Sequence, residues 1–191
     1  MVDHFPPERV QETVKYQQQL QENPGDQRAH FELAMQYALT GRVEKGIEEL
    51  KQLQPTYSVQ ILSIYVPLSE KEPENSDHKF KLAFAYYFAN RKDESKLVFQ
   101  KILDEDDPKH IWAMAYKALI LGEEGNNEAV IELCNRALAV DREAAGVWFL
   151  RGEAERRKGD TFKAAADMLK ALRLRATDEF KWKQLEREAR S

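Results

Sequence analysis

The sequence predicts an all-α fold, a solenoid made by stacking antiparallel helix pairs. Three observations predict it. A spaced set of small, turn-forming and apolar residues recurs four times along the 191-residue chain. The last three positions of each set are separated by four and then three residues, the period of a helix face rather than a strand. The recurrences start near Gln27, Ser76, Ile111 and Ala145, so successive gaps are 49, 35 and 34 residues. Two of the gaps therefore sit at one period, and the first exceeds it by about half a unit.

The elements follow in order. The run Pro7–Glu22 ends in Asn23-Pro24, as the second helix of a unit would, and reads as an N-terminal half repeat or cap over 7–26. The first full copy, 27–55, is Ala34, Gly41, Gly46, Leu50, Leu53, with Pro55 stopping its second helix early. The surplus in the first gap is another helical run over 56–75, with Val59, Leu62, Tyr65 and Leu68 at helical spacing. Pro67 inside it predicts a kink or break. The second copy, 76–110, is Ala83, Asn90, Ser95, Phe99, Ile102. The third, 111–144, is Ala118, Gly125, Val130, Cys134, Ala137. The fourth, 145–176, is Gly152, Gly159, Ala164, Met168, Ala171. Thr177, followed by Asp178 and Glu179, predicts the N-cap of a separate capping helix over 177–190 that carries Phe180, Trp182 and Leu185. The whole is about eleven helices in one domain, 1–191.

Physical chemistry explains the spacing. Gly or Asn supplies a left-handed turn residue between two antiparallel helices. Small residues on either side let those helices approach closely, and the larger residue on the second helix packs on the next unit. A proline or aspartate closes the unit, as at Asn23-Pro24, Glu72-Pro73 and Asp107-Pro108.

These residues resemble the tetratricopeptide repeat, a helix–turn–helix unit of 34 residues. The fourth copy carries the likeness most clearly, with Trp148, Gly152, Gly159, Ala164 and Ala171. The first adds Leu33, Ala34 and Tyr37, and the second Leu82, Ala83, Tyr86 and Tyr87. Departures are His30 and Lys79 in place of Trp, Lys117 and Arg151 in place of Leu, and Glu155 in place of Tyr. The resemblance implies a right-handed superhelix whose first helices line a concave groove and carry the ligand contacts. Carried over residue by residue, it implies partner contacts at Phe31 and Met35; at Phe80, Phe84, Tyr87 and Phe88; at Trp112 and Tyr116; and at Phe149, Arg156 and Arg157. The Lys, Arg and Asn set with which one subclass grips chaperone carboxylates is not reproduced.

Composition and motifs exclude much else. Asp and Glu outnumber Lys and Arg, 33 to 29, and the isoelectric point is near 5.7, which argues against general nucleic-acid binding. Charge is uneven: residues 1–141 carry a net -8 and residues 142–191 a net +4. A single cysteine excludes an internal disulfide and cysteine-based zinc sites. Cys134 falls on a buried repeat position and reads as a small hydrophobe. His4, His30, His78 and His110 have no His at i+4 and no HExxH, so structural roles are expected for all four. No phosphate-binding glycine loop or GxSxG elbow occurs. The run Asp104, Glu105, Asp106, Asp107 reads as a solvated loop before the next helix. No catalytic residue, metal or cofactor is expected.

No run approaches the ~18 apolar residues of a membrane span, and the start, MVDHFPPE, has neither a basic nor an apolar leader segment. A cytoplasmic setting is the expectation. The expected function is non-enzymatic: an adaptor, scaffold or assembly factor that takes a peptide or helix of another protein in an aromatic-lined groove. The alternatives are a self-associating scaffold, hence a homo-oligomer, or a binder of an acidic segment, less readily RNA, through the basic C-terminal repeat.

Overall fold

Four left-handed turns set the architecture. Gly41, Asn90, Gly125 and Gly159 all have positive φ, at 70°, 59°, 83° and 90°, a region that L side chains other than Asn rarely occupy. They are the four turn residues at the centre of the repeats. Each reverses the chain between two helices. The computed structural model describes residues 5–191, and His4 lies outside them.

Helix α1 (Pro7–Glu22) precedes the first pair, α2 (Gln27–Leu39) and α3 (Val43–Leu50). The inserted helix α4 (Tyr57–Lys71) leads to α5 (Ser76–Phe88) and α6 (Lys92–Lys101). The last pairs are α7 (Ile111–Glu123) with α8 (Asn127–Val140), and α9 (Ala145–Lys158) with α10 (Thr161–Arg190). Among the described residues there is no strand. The protein is therefore all-α, a solenoid of antiparallel helix pairs.

Polar side chains start half of these helices. Asp26, Asn75, Asn126 and Asp160 each accept the backbone N–H three residues on, at 3.0–3.2 Å. At α7 the acceptor is His110 Nδ1, 3.1 Å from the Ala113 nitrogen. The small repeat residues do what their size permits. A Cβ on Gly46 would lie 3.3 Å from the Ala34 carbonyl, and one on Gly152 3.2 Å from the Ala164 carbonyl. Each pair thus closes to backbone contact.

Three sequence expectations change. The helix over 177–190 is not separate. α10 runs unbroken for 30 residues, and Thr177 sits mid-helix with its hydroxyl donating back to the Arg173 carbonyl. No Gly or Pro lies between Asp160 and the chain end, so nothing interrupts the helix. Among the described residues there are ten α-helices where about eleven were expected. Helix α4 likewise continues through Pro67, and it buries Tyr57, Ile61 and Tyr65 while Val59 points out. The acidic run is not a loop. Residues Ile102–Asp106 form a π-helical turn in which Glu105 and Asp106 hold Lys79 at 3.1 and 2.7 Å.

The main core runs through every repeat, with Phe31, Met35, Phe80, Phe99, Ile102, Met114 and Val147 all fully buried. A second cluster joins the two ends of the chain. Phe5, Val10, Leu33 and Tyr37 surround Trp182, which has no exposed surface. The far half of α10 therefore crosses back onto α1 and α2, and the array closes on itself.

Candidate functional site

Closure turns the concave side into a narrow channel. Trp112, near the start of α7, reaches to the α2–α3 turn so closely that a Cβ on Gly41 would lie 2.3 Å from its ring. Gly41 therefore serves twice, by its positive φ and by its missing side chain. In the first turn of α9, a Cβ added to Gly146 would lie 3.7 Å from Val43 and 3.8 Å from the Trp112 ring. Tyr116 donates its hydroxyl to the Ala38 carbonyl at 3.2 Å across the same gap. The first, third and fourth repeats thus touch across the axis.

What remains open is a cavity of about 350 Å³. Its walls are apolar: Val43 and Ile47 from α3, Trp112, Ala115, Tyr116 and Leu119 from α7, Ala145, Phe149 and Leu150 from α9, and Ala171 from α10. Two wall residues keep substantial free surface, Ile47 at 44% and Phe149 at 50%. The rim is charged, with Arg42, Glu44 and Lys45 facing Arg175, Asp178 and Glu179.

The rim also holds the closure. Arg42 donates to Glu179 at 2.8 Å and lies over the Trp182 ring at 4.5 Å. Partial burial opposes ionisation of Glu179, but the guanidinium of Arg42 outweighs it and holds the carboxyl below its usual range. Arg175 pairs with Glu44 beside it, and Arg190 donates to Gln17 of α1.

The structure divides the eleven sequence-predicted contact residues. Trp112, Tyr116 and Phe149 line the channel. Phe31, Met35, Phe80 and Phe84 do not present a groove surface, and this corrects the expectation: their exposures are 1%, 0%, 0% and 7%. The reason is the tight winding. Phe80, Phe84, Phe99 and Tyr116 pack ring on ring at 4.7–6.4 Å, so the first-helix face that would line a wider groove is filled by its neighbours. Tyr87 and Phe88 are half-buried outside the channel. Tyr87 donates to Glu123 at 2.5 Å, and burial, then the Glu123 carboxylate, push its phenol above the ordinary range. Arg156 and Arg157 lie at the exposed end of α9. The first pairs with Glu153 at 3.0 Å, and the second donates to the Gly122 carbonyl at 2.7 Å.

Sequence reasoning missed Val43, Ile47 and Arg42, and it placed Arg175 on a basic C-terminal face rather than at the channel rim. They sit on second helices and turns, which face the axis only because the ends meet. Trp182 is the one available signal, since a buried indole on an otherwise charged helix needs an apolar partner. Cys134 is fully buried as expected, and desolvation pushes its thiol up to about 12. It therefore stays protonated and unreactive at neutral pH.

The fold and the channel define a class: a tetratricopeptide-like helical solenoid, a protein-interaction architecture in general. The family model described as Tetratricopeptide repeat matches residues 117–179, which span α8, α9 and parts of α7 and α10. Among solved structures, the chain is similar in fold to the one described as the crystal structure of MamA. There the TM-score is 0.53 at 16% identity, over 87% of this chain and 88% of that one. No curated protein sequence matches the chain. Among the described residues no helix is long and apolar enough to cross a membrane.

Proposed function

We propose that the protein is an adaptor, scaffold or assembly factor that grips an extended apolar segment of a partner protein in its central channel. One observation carries the reading: an apolar cavity inside the ring whose wall keeps Ile47 and Phe149 substantially solvated. Exposed apolar surface of this kind costs free energy unless something covers it. The volume sets the occupant. About 350 Å³ is at the low end of ligand pockets, which run from roughly 300 to 1,000 Å³. It admits one or two large side chains of an extended segment, not a helix some 10 Å across. The mixed charges at the rim supply polar partners for the segment's backbone on either side of its anchor.

Peptide display on the immobilised chain tests this. Selection should enrich segments with a central aromatic or leucine anchor, and Phe149→Glu with Ile47→Glu should abolish their binding without loss of helical signal. Selected peptides that bind this variant as well as the parent would refute the channel as the site.

A further inference from the structure

The outer face of α10 carries apolar residues that the solenoid does not explain. Phe162, Leu169, Leu172 and Phe180 are 85%, 69%, 65% and 71% exposed. The side of the same helix packed toward α9 is closed by Ala164, Asp167 and Ala171. Phe162, Ala165, Leu169, Leu172 and Ala176 are spaced three and four residues apart in alternation, and Phe180 follows four later. That alternation is the seam of a two-helix packing, with small and large residues interleaved as knobs and holes.

Repeat register separates an unused stacking position from surplus. Leu172 occupies the place of Leu103 and Leu138, which are 3% and 5% exposed where a further repeat follows. Its exposure is what ending the array leaves behind. Phe162 and Leu169 are different. Earlier copies carry Asp93 and Glu128 at the first place, and Gln100 and Asn135 at the second. The last repeat has exchanged two polar surface positions for large apolar ones.

Charge identifies what would cover them. From Thr161 to Arg187 every exposed ionisable residue of α10 is basic: Lys163, Lys170, Arg173, Arg175, Lys181, Lys183 and Arg187. Of the four acids in that span, Asp167 is buried against Arg151, Asp178 and Glu179 belong to the channel rim, and the half-buried Glu186 pairs with Arg190. A second copy laid on this seam would bring basic flank against basic flank. The alternating seam also calls for a partner with its own helical ridges rather than a flat surface.

We infer that the outer face of α10 docks an acidic amphipathic helix of another protein as a further layer on the solenoid. The docking surface lies outside the channel and stands independently of it. Apolar contact along Phe162, Leu169, Leu172 and Phe180 provides adhesion, and the basic flanks select an acidic partner and speed encounter.

The full chain can be tested with a designed, labelled probe: a three-heptad helix with leucine at the seam and glutamate on both flanks. Its control carries lysine at the glutamate positions. Fluorescence anisotropy should show the acidic probe binding and weakening with salt, and the lysine control about tenfold or more weaker. Lys170→Glu with Arg173→Glu should lower affinity for the acidic probe about tenfold and favour the lysine control. Leu169→Ser with Leu172→Ser should abolish both while leaving the fold intact, since neither side chain is buried. Equal binding of both probes, or binding that survives the charge reversal, overturns the inference. Two other outcomes overturn it as well. One is a concentration-dependent dimer, lost in the leucine variant, in sedimentation. The other is capture by phosphatidylserine-containing vesicles in place of the acidic probe.

Discussion

Trp182→Ala should release the far half of α10 and open the ring. Trp182 is wholly buried among Phe5, Val10, Leu33 and Tyr37, with the Phe5 ring edge-on at 5.4 Å and Arg42 over its own ring at 4.5 Å. Truncating a buried tryptophan to alanine costs about 3–5 kcal/mol. Its indole N–H has no hydrogen-bond partner among the described residues, an omission that itself costs about 1–3 kcal/mol. Trp182→Phe should therefore be nearly neutral, because it keeps much of the burial and removes the orphan donor. The alanine loss should be local, because stability in a repeat array is roughly a sum of nearest-neighbour terms and the α9–α10 pair does not depend on Trp182. Hydrogen exchange read by mass spectrometry gives the measure. About 3 kcal/mol corresponds to opening roughly a hundredfold more often, so amides near 177–190 and in α1 should exchange about that much faster. Amides of α7 and α8 should not change. Unaltered exchange at 177–190 would refute the closure, and uniform acceleration across all helices would refute its local character.

Gly159→Val should destabilise by about 1–2 kcal/mol, because φ is +90° there while nothing lies within 4 Å of the added Cβ, so the cost is backbone strain alone. An unchanged melting temperature would contradict it. His110 gives a pH dependence. Burial lowers its pKa against Asp107 and Asp77, which raise it, and its Nδ1 must stay unprotonated to cap α7. A base whose folded pKa lies below its unfolded value of about 6.5 contributes stability that is complete above that pH and is lost as pH falls through the folded value. Urea midpoints should thus drop as pH falls below about 6.5, and His110→Asn, which keeps a cap acceptor without a titrating ring, should flatten that drop.

The parts legible in the sequence are those that local chemistry decides. Gly41, Asn90, Gly125 and Gly159 could be found because a left-handed turn admits few residues, and Ala83, Ser95 and Gly152 because close helices need small ones. The site was only partly legible, because residue type does not fix the radius of the superhelix. Phe80 and Trp112 are both large, apolar and on first helices, yet one is core and the other also walls the channel. Gly41 decides this: with no Cβ it lets the Trp112 ring reach the α2–α3 turn and draws the repeats inward. The merger of the last two predicted helices was hidden by Thr177, a good cap residue that here is simply tolerated inside a helix.

Closure also sets what the channel can recognise. In an open solenoid the concave face accepts a whole amphipathic helix. Here that mode requires lifting the far half of α10 and undoing the Trp182 and Arg42 contacts. If release costs about 3 kcal/mol, a ligand that binds only the open ring has its affinity reduced roughly hundredfold. An extended segment whose anchor fits about 350 Å³ avoids that cost. The outer face of α10 avoids it as well, because Phe162, Leu169 and Leu172 stay exposed while the ring is shut. On the two proposals, channel and outer face would divide the ligands by shape, with extended segments inside and helices outside. Trp182→Ala should erode that division by admitting helices to the concave side while leaving the Phe162, Leu169 and Leu172 stretch of the outer face in place.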